Sequence, residues 1–156
     1  VDLDATLRLA IYRHFVETSR PPTIDHLARV LDVTPDEARG GWQRLAARRA
    51  IVLDGSGESI RMALPFSAVE TQHRVRTQGR TYFANCAWDS FGIPAALHSD
   101  AEVLSRCEQT QAPLHLRIGA DTPPQELVRP GTAESSSWFF HAAVPAAHWW
   151  RDIVYT

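Results

Sequence analysis

The chain contains no lysine, and every one of its 16 basic residues is an arginine. Schiff-base chemistry on a lysine amine is therefore excluded. Sulfur is scarce as well, with two cysteines, Cys86 and Cys107, and one methionine in 156 residues. So few cysteines, and no CxxC pair, rule out a disulfide framework, a zinc knuckle and a thioredoxin-like motif, and imply two reduced thiols. No apolar run approaches the ~20 residues of a membrane span. The start, Val1-Asp2-Leu3-Asp4, is acidic and unlike a signal peptide. A soluble, cytoplasmic protein is expected. An excess of positive charge is also missing: the formal net charge of −2 gives no global field for nucleic acid or an anionic membrane. The seven histidines show no HxH or HxxxH spacing, so metal ligation by them is not expected.

What remains is globular composition, 44% hydrophobic and 22% charged, enough to build a core and too apolar for disorder. Three helices are expected first. Leu3, Leu7, Ala10, Ile11 and Phe15 fall at helical spacing, and Ser19-Arg20-Pro21-Pro22 breaks the pattern. Thr23 can cap a second helix with Ile24, Leu27, Ala28 and Leu31 on its apolar face. Thr34, Pro35 and Glu37 spell a capping box for a third, which would bury Ala38, Trp42, Leu45 and Ala46. Gly40-Gly41 weakens that helix by roughly 1 kcal/mol per glycine, which points to a neighbour packed closely there. A hairpin then follows from Ala50–Leu53 to Ile60–Leu64 around Asp54-Gly55-Ser56-Gly57.

Helices followed by a hairpin spell a winged helix-turn-helix over residues 1–64. In a DNA reader of that kind the start of the third helix meets the bases. Here Asp36 and Glu37 would face phosphates and repel them, so a structural winged helix is the expectation, with no nucleic-acid partner.

From Pro65 the texture turns to alternating, arginine-rich segments. Val69, Thr71, His73, Val75 and Thr77 alternate, and Gly79 makes a turn. Strands are expected at Ala101–Cys107, Leu114–Ile118 and Trp138–Ala143, a short helix after Phe83 stopped by Gly92 and Pro94, and a helical turn at Ala146–Trp150. The fold class is thus α+β: a winged-helix-like unit, then a small mixed-sheet domain over 65–156. The last residues, Asp152–Thr156, read as an apolar strand-like run with no turn after it, as though the natural protein continued further.

The segment Tyr82-Phe83-Ala84-Asn85-Cys86-Ala87-Trp88-Asp89-Ser90-Phe91-Gly92-Ile93-Pro94-Ala95 carries a resemblance. Its Cys, two residues, Asp and following Pro-Ala resemble the active-site segment of the organomercurial (alkylmercury) lyases. The likeness continues through Ser105-Arg106-Cys107 and Ala112–Leu116 and is weaker at Phe139–Pro145. It implies that Cys86 captures R–Hg⁺ and Asp89 supplies the proton to the leaving carbon. Soft mercury prefers thiolate to oxygen, and an acid three residues on along a helical turn lies on the same face. An apolar wall of Trp88, Phe91 and Ile93 would exclude water and raise the Asp pKa.

The resemblance implies no organic cofactor, a small organomercurial or other thiol-reactive ligand, and small thiols to remove the product. It also implies a second active-site cysteine shortly before Phe139. This chain has Ser135, Ser136 and Ser137 there, and a hydroxyl cannot replace a thiolate for mercury. Cys107 matches a cysteine away from the reaction centre. Three readings stay open: a lyase, a non-catalytic relative that binds a soft metal or thiol-reactive ligand through Cys86, and a winged-helix regulator.

Overall fold

A computed structural model describes residues 2–120, the backbone of 122–126, and residues 142 and 144–154. The chain is α+β and divides into two compact units, Val1–Glu70 and Thr71–Thr156.

The first unit begins with α1 (Leu3–Thr18), α2 (Ile24–Leu31) and α3 (Pro35–Ala47). Each starts where a side chain answers an orphan backbone N–H: Asp2 caps α1, Thr23 caps α2, and Thr34 with Glu37 closes a reciprocal capping box on α3. Their apolar faces form one core from Leu7, Ile11, Phe15, Leu27, Trp42 and Leu45. Gly41 is the close approach in it. A Cβ there would lie 2.2 Å from Leu7 Cδ1, whereas one at Gly40 would meet only the end of the Arg44 side chain. Asp4 is buried beside Gly41 and is held by Arg44, whose Nη2 lies 2.6 Å from Asp4 Oδ1. Strands β1 (Val52–Leu53) and β2 (Ile60–Ala63) make the expected hairpin. A third strand, β3 (Phe66–Ser67), pairs with β2 and carries the unit past Leu64, where the change of texture falls.

The second unit is an antiparallel sheet of β4 (Arg74–Thr77), β5 (Arg80–Ala84), β6 (Ala101–Arg106), β7 (Pro113–Gly119) and β8 (Thr122–Glu126), in the order β5-β4-β6-β7-β8. Gln78 and Gly79, both with positive φ, form the two-residue turn between β4 and β5. Tyr82, Val75, Val103 and Leu116 lie side by side across four strands on one buried face. Helix α4 (Asp89–Leu97) packs on the sheet through Ser90, Ile93 and Pro94.

Three expectations are corrected. Gly92 and Pro94 do not stop α4, which runs through both to Leu97. Pro94 removes one backbone bond, but it and Ile93 are buried, and that apolar burial offsets the loss. Residues 152–154 form a bend and turn rather than a strand. Cys107 falls one residue beyond β6, in the tight turn where its N–H bonds Ala112 O. The strand expected at Trp138–Ala143 lies outside the described residues, Ala142 excepted. Ala146–Arg151 is a 3-10 helix.

Candidate functional site

Asn85, Cys86, Ala87 and Trp88 form the turn that joins the end of β5 to the first residue of α4. β5 is anchored by four residue pairs with β4, and α4 is anchored by its buried face, so the turn between them is held at both ends. The turn is helical in its hydrogen bonding: Ser90 N–H donates to Cys86 O, and Ser90 Oγ donates to Ala87 O at 2.6 Å. A thiol and a carboxyl are thereby brought together. Cys86 Sγ lies 3.6 Å from Asp89 Oδ2, and Asn85 Nδ2 donates to the same oxygen at 3.2 Å.

The electrostatics follow from partial burial. Asp89 is half-buried, and desolvation raises its pKa above the usual carboxylate value, while bonds from Asn85 and Cys86 pull the other way. The Cys86 thiol is also pushed up, first by burial and next by the Asp89 charge, against backbone N–H groups of Asp89 and Trp88 that lower it. A thiol and a carboxyl that each resist ionisation beside one another can hold a proton between them and pass it on. No cation pairs with Asp89 among the described residues.

The expected apolar wall is only partly there. Ile93 is fully buried and Phe91 half-buried, but Trp88 is 65% exposed. Asn85 escaped the sequence reading, although its i,i+4 spacing to Asp89 was a signal for it. Cys107, half-buried, is in a contrasting setting, its pKa lowered by the Thr110 hydroxyl and by the backbone N–H groups of Thr110 and Gln109. Ser135, Ser136 and Ser137 lie outside the described residues. No group of three or more His, Cys, Asp or Glu side chains converges among the described residues.

A family model for the alkylmercury lyases matches residues 66–151. An alkylmercury lyase of Streptomyces lividans is 32% identical over 114 residues, which cover 73% of this chain and 50% of that protein. This chain thus spans about half the length of that curated relative. Among solved structures, the crystal structure of the mercury-bound form of MerB2 shares the fold. Its TM-score is 0.67 at 22% identity, covering 81% of this chain and 61% of that one. With more than half of its residues inside the family match and nearly a third of the aligned positions shared with a curated member, the chain belongs to the alkylmercury lyase family.

Proposed function

We propose that the protein captures an organomercurial R–Hg⁺ on Cys86 and breaks its carbon–mercury bond by proton transfer from Asp89. The observation that carries the reading is the 3.6 Å approach of the Cys86 thiol to Asp89 Oδ2, with both groups partly withdrawn from water. As mercury arrives, the thiol proton passes to Asp89 and a sulfur–mercury bond forms. Asp89 then delivers that proton to carbon, the carbon–mercury bond breaks, RH leaves, and Hg²⁺ stays on the Cys86 thiolate beside a regenerated carboxylate. Asn85 holds the acceptor oxygen in place throughout. No organic cofactor enters these steps, and small thiols would carry off the product.

Turnover is expected to be slow. Among the residues from 134 to 138 the chain offers hydroxyls at Ser135, Ser136 and Ser137 and no second thiolate. A missing ligand that acts mainly in the transition state costs about 3–4 kcal/mol, a few hundred-fold in rate. The sequence therefore also supports the second reading, a soft-metal binder that releases little product. The N-terminal unit fits a structural winged helix, and a gel-shift with upstream DNA should show no specific complex.

Titration with phenylmercury tests the capture step. One equivalent should bind, and Cys86→Ala should abolish tight binding while Cys107→Ala retains it. The reverse pattern would move the site. Benzene release should stay near background in excess thiol and rise when Ser135 or Ser136 is replaced by cysteine. Robust turnover by the unaltered chain would overturn the two-thiol requirement.

A further inference from the structure

His14 and His26 lie on different helices, yet His14 Nδ1 and His26 Nε2 are 3.2 Å apart. The backbone under both rings is fixed. His14 precedes the buried Phe15 on α1, and the Thr18 hydroxyl bonds its carbonyl at 2.7 Å. His26 precedes the buried Leu27 on α2, and its N–H is held by the Thr23 cap. Both rings are half-buried.

A straight N–H···N bond of this length would hold the ring centres roughly 5.5 Å apart. They are 4.4 Å apart with the planes tilted by 60°. The rings therefore do not meet end to end, and the hydrogen bond between His14 and His26 is bent. With the ~2.0–2.1 Å bonds that imidazole makes to zinc, a separation of 3.2 Å subtends about 100° at a shared ion, close to tetrahedral. An ion that prefers two ligands on opposite sides would need the nitrogens roughly 4 Å apart by the same bond lengths. We propose that His14 and His26 form a two-histidine site for a divalent transition cation of the Zn²⁺, Ni²⁺ or Cu²⁺ class.

Water fills the remaining positions, so binding is weaker than at a four-ligand structural site. His14 suits the task in its protonation as well. Burial, and after it the neighbouring His26, lowers the pKa of His14, with Glu17 opposing, and a neutral imidazole is the form that ligates. A bound ion would tie α1 to α2 and stabilise the fold by mass action. Histidine twelve residues from histidine matches no single-helix metal spacing, and the turn through Pro21-Pro22 is what brings the pair together.

The test uses the full chain with both cysteines changed to serine, so that thiols do not compete for the metal. Ni²⁺ titration followed by calorimetry should give one site. In NMR spectra the imidazole signals of His14 and His26 should broaden before those of the other five histidines. His14→Gln and His26→Gln should each weaken binding about tenfold or more and remove the metal-dependent rise in Tm, with melting in the absence of metal showing that both variants fold. Affinity unchanged in both variants, or another histidine broadening first, would overturn the site.

Discussion

Asp4 and Asp89 each lie in the first turn of a helix, and each is drawn out of water, but they are answered by different partners. Asp4 in the first unit receives Arg44 through Nε at 2.9 Å and Nη2 at 2.6 Å, with Arg48 at 3.6 Å. The Arg44 hydrogen bond holds its pKa below the ordinary range. Asp89 in the second unit receives an amide and a thiol, both neutral, and burial holds its pKa above that range. Matching a buried carboxylate with a cation fixes its charge and makes it structural. Leaving it with neutral donors keeps its proton exchangeable, which is what an acid in a reaction needs.

The largest expected effect separates the two directly. Asp4→Asn strands two arginines and should lower Tm by several degrees, while Asp89→Asn, a neutral replacement for a group that resists ionisation, should leave Tm unchanged or raise it. Equal losses in thermal melts would erase the distinction. The pH dependence should carry opposite signs. Asp4 contributes stability that is present above its unfolded pKa of about 3.9 and is lost as pH falls below it. Asp89 binds its proton more readily folded than unfolded, so its contribution declines as pH rises through and beyond that value. Only the Asp89→Asn variant should lose this decline.

A smaller effect tests how tightly Asp4 is walled in. Gly41→Ala drives a methyl into Leu7 and should cost about 1–3 kcal/mol. Gly40→Ala, which only nudges the end of Arg44, should gain up to roughly 1 kcal/mol from helix propensity. Urea denaturation of the pair measures both, and two gains would mean that α1 and α3 are farther apart than the structure has them.

The two thiols sharpen the comparison on the second unit. With its pKa lowered, Cys107 should react with iodoacetamide faster than Cys86 at neutral pH, as followed by mass spectrometry. Preferential labelling of Cys86 would mean that Asp89 already holds the thiol proton in the resting protein. The smallest effect belongs to Asn85→Ala. Losing its bond to Oδ2 should raise the Asp89 pKa further, visible in the carboxyl infrared band, with little change in Tm.

Much of this was legible in the residues themselves. The Thr34-Pro35-Glu37 box, the hairpin glycines and the alternation into β4 are local signals, and local geometry is decided by neighbours in sequence. Cys86 and Asp89 belong with them, because three residues along a helical turn fixes their approach whatever else the chain does. What escaped depends on distant packing. Pro94 continues a helix because a sheet lies beneath it, and the 65% exposure of Trp88 is set by packing that local spacing does not describe. The His14–His26 contact depends on how two helices cross, which no spacing rule within one helix describes.

Asn85, Cys86 and Asp89 come from five consecutive residues, whereas a second sulfur would have to arrive from some fifty positions downstream. On the proposed function, the acid–thiol pair and the second ligand it would need are therefore separable in evolution. On that reading a lineage can lose the distant ligand and keep the proposed proton relay, or regain it by a single codon change, without rebuilding the junction between β5 and α4.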